Sequence, residues 1–470
     1  MSTSLQAGGA GSKTRRTADS ERQQAISSRL LSDRFRLSEE FDLPVQGSLS
    51  AHEGYFQLGS DIVCYGQCSS GTPAALASSR PLHDAFSHIS NRGGTVQLPF
   101  DAVQLVDNLR CERYVPAAAG GGAPANQTVR DLYYFLRPVM PVPVRRHIQA
   151  LYFKTRMKHP FPAWPVDSTV ESIYELLLAA TMRAQGISRL PFVWFWPEGA
   201  PSCTMITHDV ETAKGVRLCS RLMDLNDSFG IKTSFHFIPE QRYPAPKDLM
   251  REVRDRGFEI NVHDLNHDGH LFRDHGEFLR RARKINRYVR EFEASGFRSA
   301  IMYRNVDWLD AIDVDYDMSI PNSAHLDPQP GGCCTVFPFF IGKIIELPTT
   351  AIQDYSLFHI LHEYSTRLWR QQVAAIAGRH GLAAFVIHPD YIFEKNARNA
   401  YTELLGHLTE LRAEGKTWIA LPNEIAGWWR LRSELNVVHG PEGFRIEGQG
   451  SSRARLAWAV LDEGKLRYEF

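Results

Sequence analysis

Gly257-Phe258-Glu259-Ile260-Asn261-Val262-His263-Asp264-Leu265-Asn266-His267 is the stretch whose reading decides the fold. Apolar residues alternate with polar ones from 258 to 262, which predicts a strand. The glycine before it is the residue expected where a helix stops with positive φ, and the pattern over 246–256 predicts that helix. The strand runs out into a histidine, and a second histidine follows four residues later. A helix, a glycine, a short strand and then polar side chains at its C-terminal end form the repeating unit of a parallel α/β protein.

The same unit recurs on both sides. Strands are predicted at 204–207, 231–238, near 297–303, at 316–320, 343–347, 382–387 and 417–421, with helices at 214–229, 277–294, 357–379, 397–414 and 423–435. Gly230, Gly296, Gly381 and Gly415 punctuate the series as Gly257 does. With about seven or eight strand candidates, the expected fold is a distorted (β/α)7–8 barrel over residues 196–435, not an open sheet. No sequence repeat of solenoid period accompanies it.

The flanks read differently. Residues 1–45 are polar and charged, with one helical pattern at 21–31, and are expected to be disordered. Residues 46–195 form a mixed accessory domain, with a Gly/Ala/Pro loop at 116–126, an aromatic and arginine-rich segment at 131–157 and a helix at 168–185. Residues 436–470 alternate in short runs at 443–447, 453–460 and 465–470, and are expected to be a small β appendage.

Composition narrows the function. Lys plus Arg equals Asp plus Glu at 53 each, so a nucleic-acid partner has no charge excess to explain it. No apolar run is long enough to span a bilayer, and the charged N-terminus lacks the apolar core of a signal peptide, so a cytoplasmic protein is expected. The seven cysteines are odd in number and lack framework spacing, in keeping with reduced thiols. Cys64 and Cys68 stand four apart but have no second pair to complete a metal site, so they are read as ordinary thiols.

In a parallel barrel, chemistry collects at the C-terminal ends of the strands. There the sequence places Asp209 and Glu211, two apart and so on one side of an extended chain, then His263 and His267, and later His388 before Pro389. Two imidazoles and a carboxylate are a common zinc set, and a second carboxylate beside them suits a general base. Among 18 histidines, chance alone supplies about 0.7 pairs at this spacing, so the signal lies in the joint placement of these residues. His263, His267 and His270 offer an all-histidine alternative that would leave Glu211 without a task. His208 lies on the opposite side of its strand from Asp209 and is read as packing.

At these residues the chain resembles the polysaccharide deacetylase family, the NodB-like carbohydrate esterase family 4, over roughly residues 201–432. Thr207-His208-Asp209-Val210-Glu211 is similar to its first motif, and Gly257–His263 with His267 to its second. Gly296-Phe297-Arg298, Tyr316-Asp317-Met318-Ser319 and Phe385-Val386-Ile387-His388-Pro389 follow in the family's order. The resemblance implies Asp209 as general base oriented by Arg298, His388 as general acid, and Glu211, His263 and His267 as ligands of a divalent metal, zinc foremost. Arg304 is a second candidate for the orienting arginine, and Asp354 is the candidate partner of His388. Glu211 is one methylene longer than the family's usual aspartate. The implied activity is hydrolysis of an N-acyl, typically acetyl, group on a carbohydrate. Two alternatives stand beside it: hydrolysis of a small ureide or cyclic imide, and an inactive barrel that binds glycans. Tyr303, Trp308 and Tyr391 are aromatic candidates for stacking on a sugar ring, with core packing as the competing reading.

Overall fold

The computed structural model describes residues 29–70, 78, 81–115, 161–326 and 329–470. Its centre is a curled, mostly parallel sheet of nine strands. In chain order these are β1 (Cys203–Val210), β2 (Ser234–Phe237), β3 (Glu259–His263), β4 (Gly296–Arg298), β5 (Tyr316–Asp317), β6 (Phe339–Ile341), β7 (Ile344–Glu346), β8 (Leu382–Ile387) and β9 (Trp418–Ile419). Their spatial order is β6-β7-β5-β4-β3-β2-β1-β8, with β9 joined to the start of β1. Only the β6–β7 hairpin is antiparallel, and β6 was not anticipated from the sequence.

The sheet curls towards closure without a continuous ladder between β7 and β8. The chain after β7 spans the gap: Ala351 N donates to Ala384 O (3.1 Å), and the Thr350 hydroxyl bonds both Leu382 O and Ala384 N. This is the distorted barrel that the alternating pattern predicts.

Helices cover the outside for the reason their sequences give. In α1 (Ala213–Ser228) the buried residues Gly215, Cys219, Leu222, Met223 and Asn226 recur every three or four positions. In α2 (His275–Glu291) Phe278, Ala282, Ile285 and Val289 do the same, while Asp274 caps the first turn by accepting from Glu277 N. Each such aliphatic side chain removed from water contributes about 1.5–3 kcal/mol. Gly257 has φ +73°, as its place between helix and strand requires. Gly296 answers a different need: a Cβ there would stand 2.1 Å from the Tyr316 ring, so only glycine lets β4 lie against β5.

One predicted helix is corrected. The run 357–379 is not continuous: a π-helical turn at Ser356–Ile360 is followed by an irregular link, and the helix occupies Arg367–Ala377.

Before the barrel, the expected helix at 168–185 occupies Thr169–Gln185, and two hairpins, Gly54–Leu58 with Ile62–Gly66 and Ser90–Arg92 with Thr95–Gln97, lie in the preceding region. The C-terminal strands Leu456–Asp462 and Lys465–Glu469 form a sheet with Arg189–Val193, which immediately precedes the barrel. A further hairpin joins Asn436–Gly440 to Gly443–Glu447. The predicted loop at 116–126 and the aromatic segment at 131–157 lie outside the described residues. So do residues 1–28, while 29–35 are helical. Among the described residues no helix is long and apolar enough to cross a membrane.

Candidate active site

Strand alternation sends one side chain in two into the barrel. Along β1 these are Thr207 and Asp209, with Glu211 just past the strand end. Along β3 they are Glu259, Asn261 and His263. His208 faces outward, where its Nε2 meets Asn226 Nδ2 of α1 at 3.0 Å and its ring packs on Phe235 and Tyr401.

Asp209 is held by Arg298, whose Nη1 donates to Oδ1 at 2.8 Å. The same Nη1 reaches the Thr207 hydroxyl at 2.8 Å, and Nε donates to Met318 O at 3.0 Å. The guanidinium is 1% exposed, so this fixed set of bonds is enclosed and well oriented. Burial alone would push the Asp209 carboxyl up, but the Arg298 cation, together with His263 and His236, outweighs that and holds it well below the usual carboxylate range.

Arg298 also works through its backbone. Its carbonyl oxygen lies 3.1 Å from His263 Nδ1 and accepts from Asp264 N at 2.8 Å. With Nδ1 facing a carbonyl, the proton sits on that nitrogen and the Nε2 lone pair points into the site. His263 Nε2 is buried and without a hydrogen-bond partner among the described residues.

Glu211, His263 and His267 offer ligand atoms all within 4.8 Å of one another, the one such group among the described residues. Glu211 Oε1 stands 2.8 Å from His267 Nε2 and 3.6 Å from His263 Nε2. Burial works against the charge on Glu211, yet the surrounding imidazoles keep its carboxyl well below the usual range. A partnerless buried imidazole nitrogen, a second imidazole and an ionised carboxylate fit a divalent ion of zinc type in donor chemistry and spacing. No helix brings the two histidines together. The chain turns sharply after β3, with Asp264 and His267 both at φ +56°. The Asp264 carboxylate accepts from Leu265 N (2.6 Å) and Ala300 N (3.2 Å), which ties this turn to the loop after β4.

Across the site, His388 at the end of β8 places Nε2 3.5 Å from Glu211 Oε1. Its Nδ1 lies 2.7 Å from Asp354 Oδ1, and Asp354 together with Glu211 overcomes the effect of burial to hold the imidazole in its protonated form above the ordinary histidine range.

The remaining candidates separate cleanly. Arg304 does not reach Asp209: its Nε donates to Glu112 Oε2 at 2.6 Å, a buried pair joining the chain before the barrel to the loop after β4. His270 is exposed beside Asp268 and lies outside the Glu211–His263–His267 group. Trp308 packs with Phe272, His275 and Phe278 at α2, whereas the Tyr391 ring lies 4.9 Å from that of His388. Cys64 and Cys68 are buried free thiols.

His236, in the middle of β2, was not anticipated. It is fully buried, in register with Asp209, and its Nδ1 lies 3.2 Å from Asp209 Oδ1. In sequence it is one more residue inside an apolar strand, and only the pairing of β2 with β1 reveals it.

No protein-family model matches the sequence, and no curated protein matches it. Polysaccharide deacetylases recur among the solved structures that match. One from Mycobacterium smegmatis, assigned as a polysaccharide deacetylase, has 18% identity and a TM-score of 0.42, over 51% of this chain and 93% of its own. The PuuE allantoinase has 13% identity and a TM-score of 0.41, over 50% of this chain and 92% of its own. The peptidoglycan deacetylase PdaC from Bacillus subtilis has 10% identity and a TM-score of 0.32, over 49% of this chain and 93% of its own.

Proposed function

We propose that the protein is a metal-dependent hydrolase that removes an N-acyl group, acetyl foremost, from a carbohydrate substrate. The observation that supports this reading is the convergence on the Glu211 carboxylate of His263, His267 and His388, with the Arg298-bound Asp209 beside His263.

Glu211, His263 and His267 would hold the ion. Bound there, a zinc ion would polarise the acyl oxygen and bring the pKa of water down to about 7. Asp209 is ionised and fixed by Arg298, so it accepts the proton of the water that attacks the acyl carbon. His388 is protonated and fixed by Asp354, so it donates to the nitrogen that leaves. Base and acid are thus distinct groups with opposite charge states, each oriented by its own buried partner.

The test has two parts. Elemental analysis should find about one transition-metal ion per wild-type chain and a loss of it in His263→Ala/His267→Ala. Acetate release from N-acetylated sugars is then compared with ring opening of cyclic amides. Metal retained in the double variant, or turnover confined to cyclic amides, would overturn the assignment of ligands or of substrate respectively.

A further inference from the structure

His236 is a buried polar side chain at the barrel interior that the mechanism above leaves without a task. It is 0% exposed, and neither ring nitrogen makes an aligned hydrogen bond among the described residues. Its neighbours in the sheet are Asp209 on β1 and Asn261 on β3. Asn261 is committed elsewhere, to Ser234 Oγ at 2.8 Å, to Tyr316 and to Gly296 N. That leaves the Asp209 carboxylate as the acceptor towards which the His236 ring is directed, with Nδ1 3.2 Å from Oδ1.

The contact is close but oblique. Leaving a buried ring N–H unaligned is costly, and apolar residues of similar size would fill this strand position at no such cost. Catalytic hydrogen bonds are often loose in the resting protein and tighten once the reacting groups are in place.

We propose that His236 is a positioning residue for Asp209, donating from Nδ1 to Oδ1 so that Oδ2 is presented to the attacking water. This rests on the assignment of Asp209 as the base. Oδ1 then receives two donors, the guanidinium from β4 and the imidazole from β2. Two donors on one oxygen fix the carboxylate plane, where one would leave it free to rotate about χ2. Oδ2 is the oxygen on the side of the metal-ligand group, 3.8 Å from His263 Nε2. His236 is neutral: burial first, and then the Arg298 cation, bring its pKa down to about 4. It therefore supplies a dipole without adding a second positive charge next to the base.

The experiment has one arm that needs no substrate. In full-length protein labelled with 15N at histidine, the ring nitrogen shifts of His236 should report the Nδ1–H tautomer. In Asp209→Ala the population should move towards Nε2–H. A wild-type His236 in the Nε2–H form, or a tautomer indifferent to Asp209→Ala, overturns the proposal.

The second arm is kinetic, on whichever N-acetylated sugar the wild type hydrolyses. His236→Leu should lower kcat about 10- to 100-fold, with KM and metal content unchanged. His236→Asn places an amide N–H where Nδ1 stands and should recover most of that loss. Wild-type kcat in His236→Leu, or equal loss in both variants, would reduce His236 to packing. A wild type that hydrolyses none of these sugars would remove the functional reading, while the tautomer would still decide whether His236 serves Asp209.

Discussion

One carboxylate holds His388 twice. Asp354 Oδ1 lies 2.7 Å from the ring Nδ1 of His388, and Oδ2 accepts from the backbone N of the same residue at 2.6 Å. Ring and main chain are locked to one buried group, so the direction in which Nε2 points is set before any substrate arrives. Asp354→Asn removes the charge and keeps the shape. It should lower kcat about 10- to 100-fold while leaving metal content at the wild-type level, as read by elemental analysis beside a kinetic assay. Undiminished kcat would detach Asp354 from the acid's function.

Asp209→Asn tests the proposed base apart from the proposed ligands. The amide retains the size of the carboxylate but cannot take a proton from water, so turnover should fall by about 100- to 10,000-fold. Bound metal should persist, because Glu211, His263 and His267 are untouched. Full activity in this variant would remove Asp209 from the mechanism.

Arg304 and Glu112 make a buried pair remote in sequence from each other, and Gly332 N also donates to Glu112. Removing one partner strands a charge in the interior. Arg304→Met should therefore cost about 3–5 kcal/mol of stability in denaturant titrations. The double change Arg304→Met/Glu112→Leu should recover much of that loss. Additive losses in the double variant would mean that the pair is not coupled.

Glu259 gives a pH signature. Burial is the largest influence on it and raises its pKa to about 7, while Tyr316, Asn423 N and Asn261 bond its oxygens. An unfolded glutamate titrates near 4.3. Between these values the folded chain holds a proton that the unfolded chain has released. The stability this group contributes is thus fully present below about pH 4.3 and is lost as pH rises through 7, by an amount on the order of 3 kcal/mol. Glu259→Gln stays neutral throughout, so its stability relative to the wild type should rise between pH 5 and pH 8.5. Parallel stability curves for the two proteins would contradict the assignment.

The candidate site shows which features a sequence can carry. Asp209 and Glu211, two apart at a strand end, share a side because strand alternation is local. The choice between Arg298 and Arg304 is not local. They stand six residues apart in an irregular stretch, where Ile301 and Met302 take positive φ and turn the chain, so that one arginine enters the barrel and the other meets Glu112. Helical periodicity over 357–379 is real in the sequence. It does not register the π-helical turn that follows Asp354, in the segment where that carboxylate reaches across to β8.

From the sequence alone came the alternation of strand and helix, the curled parallel sheet it implies, and the polar residues at the strand ends. These follow from periodicity and turn chemistry, which act over a few residues. Tertiary structure alone decided that Asp354 meets His388, that Arg304 leaves the site for Glu112, and that His236 faces Asp209. Each of these depends on register between strands or on contacts between distant segments. Their energies come from burying polar and charged groups together, and such burial exists only once the barrel has folded around them.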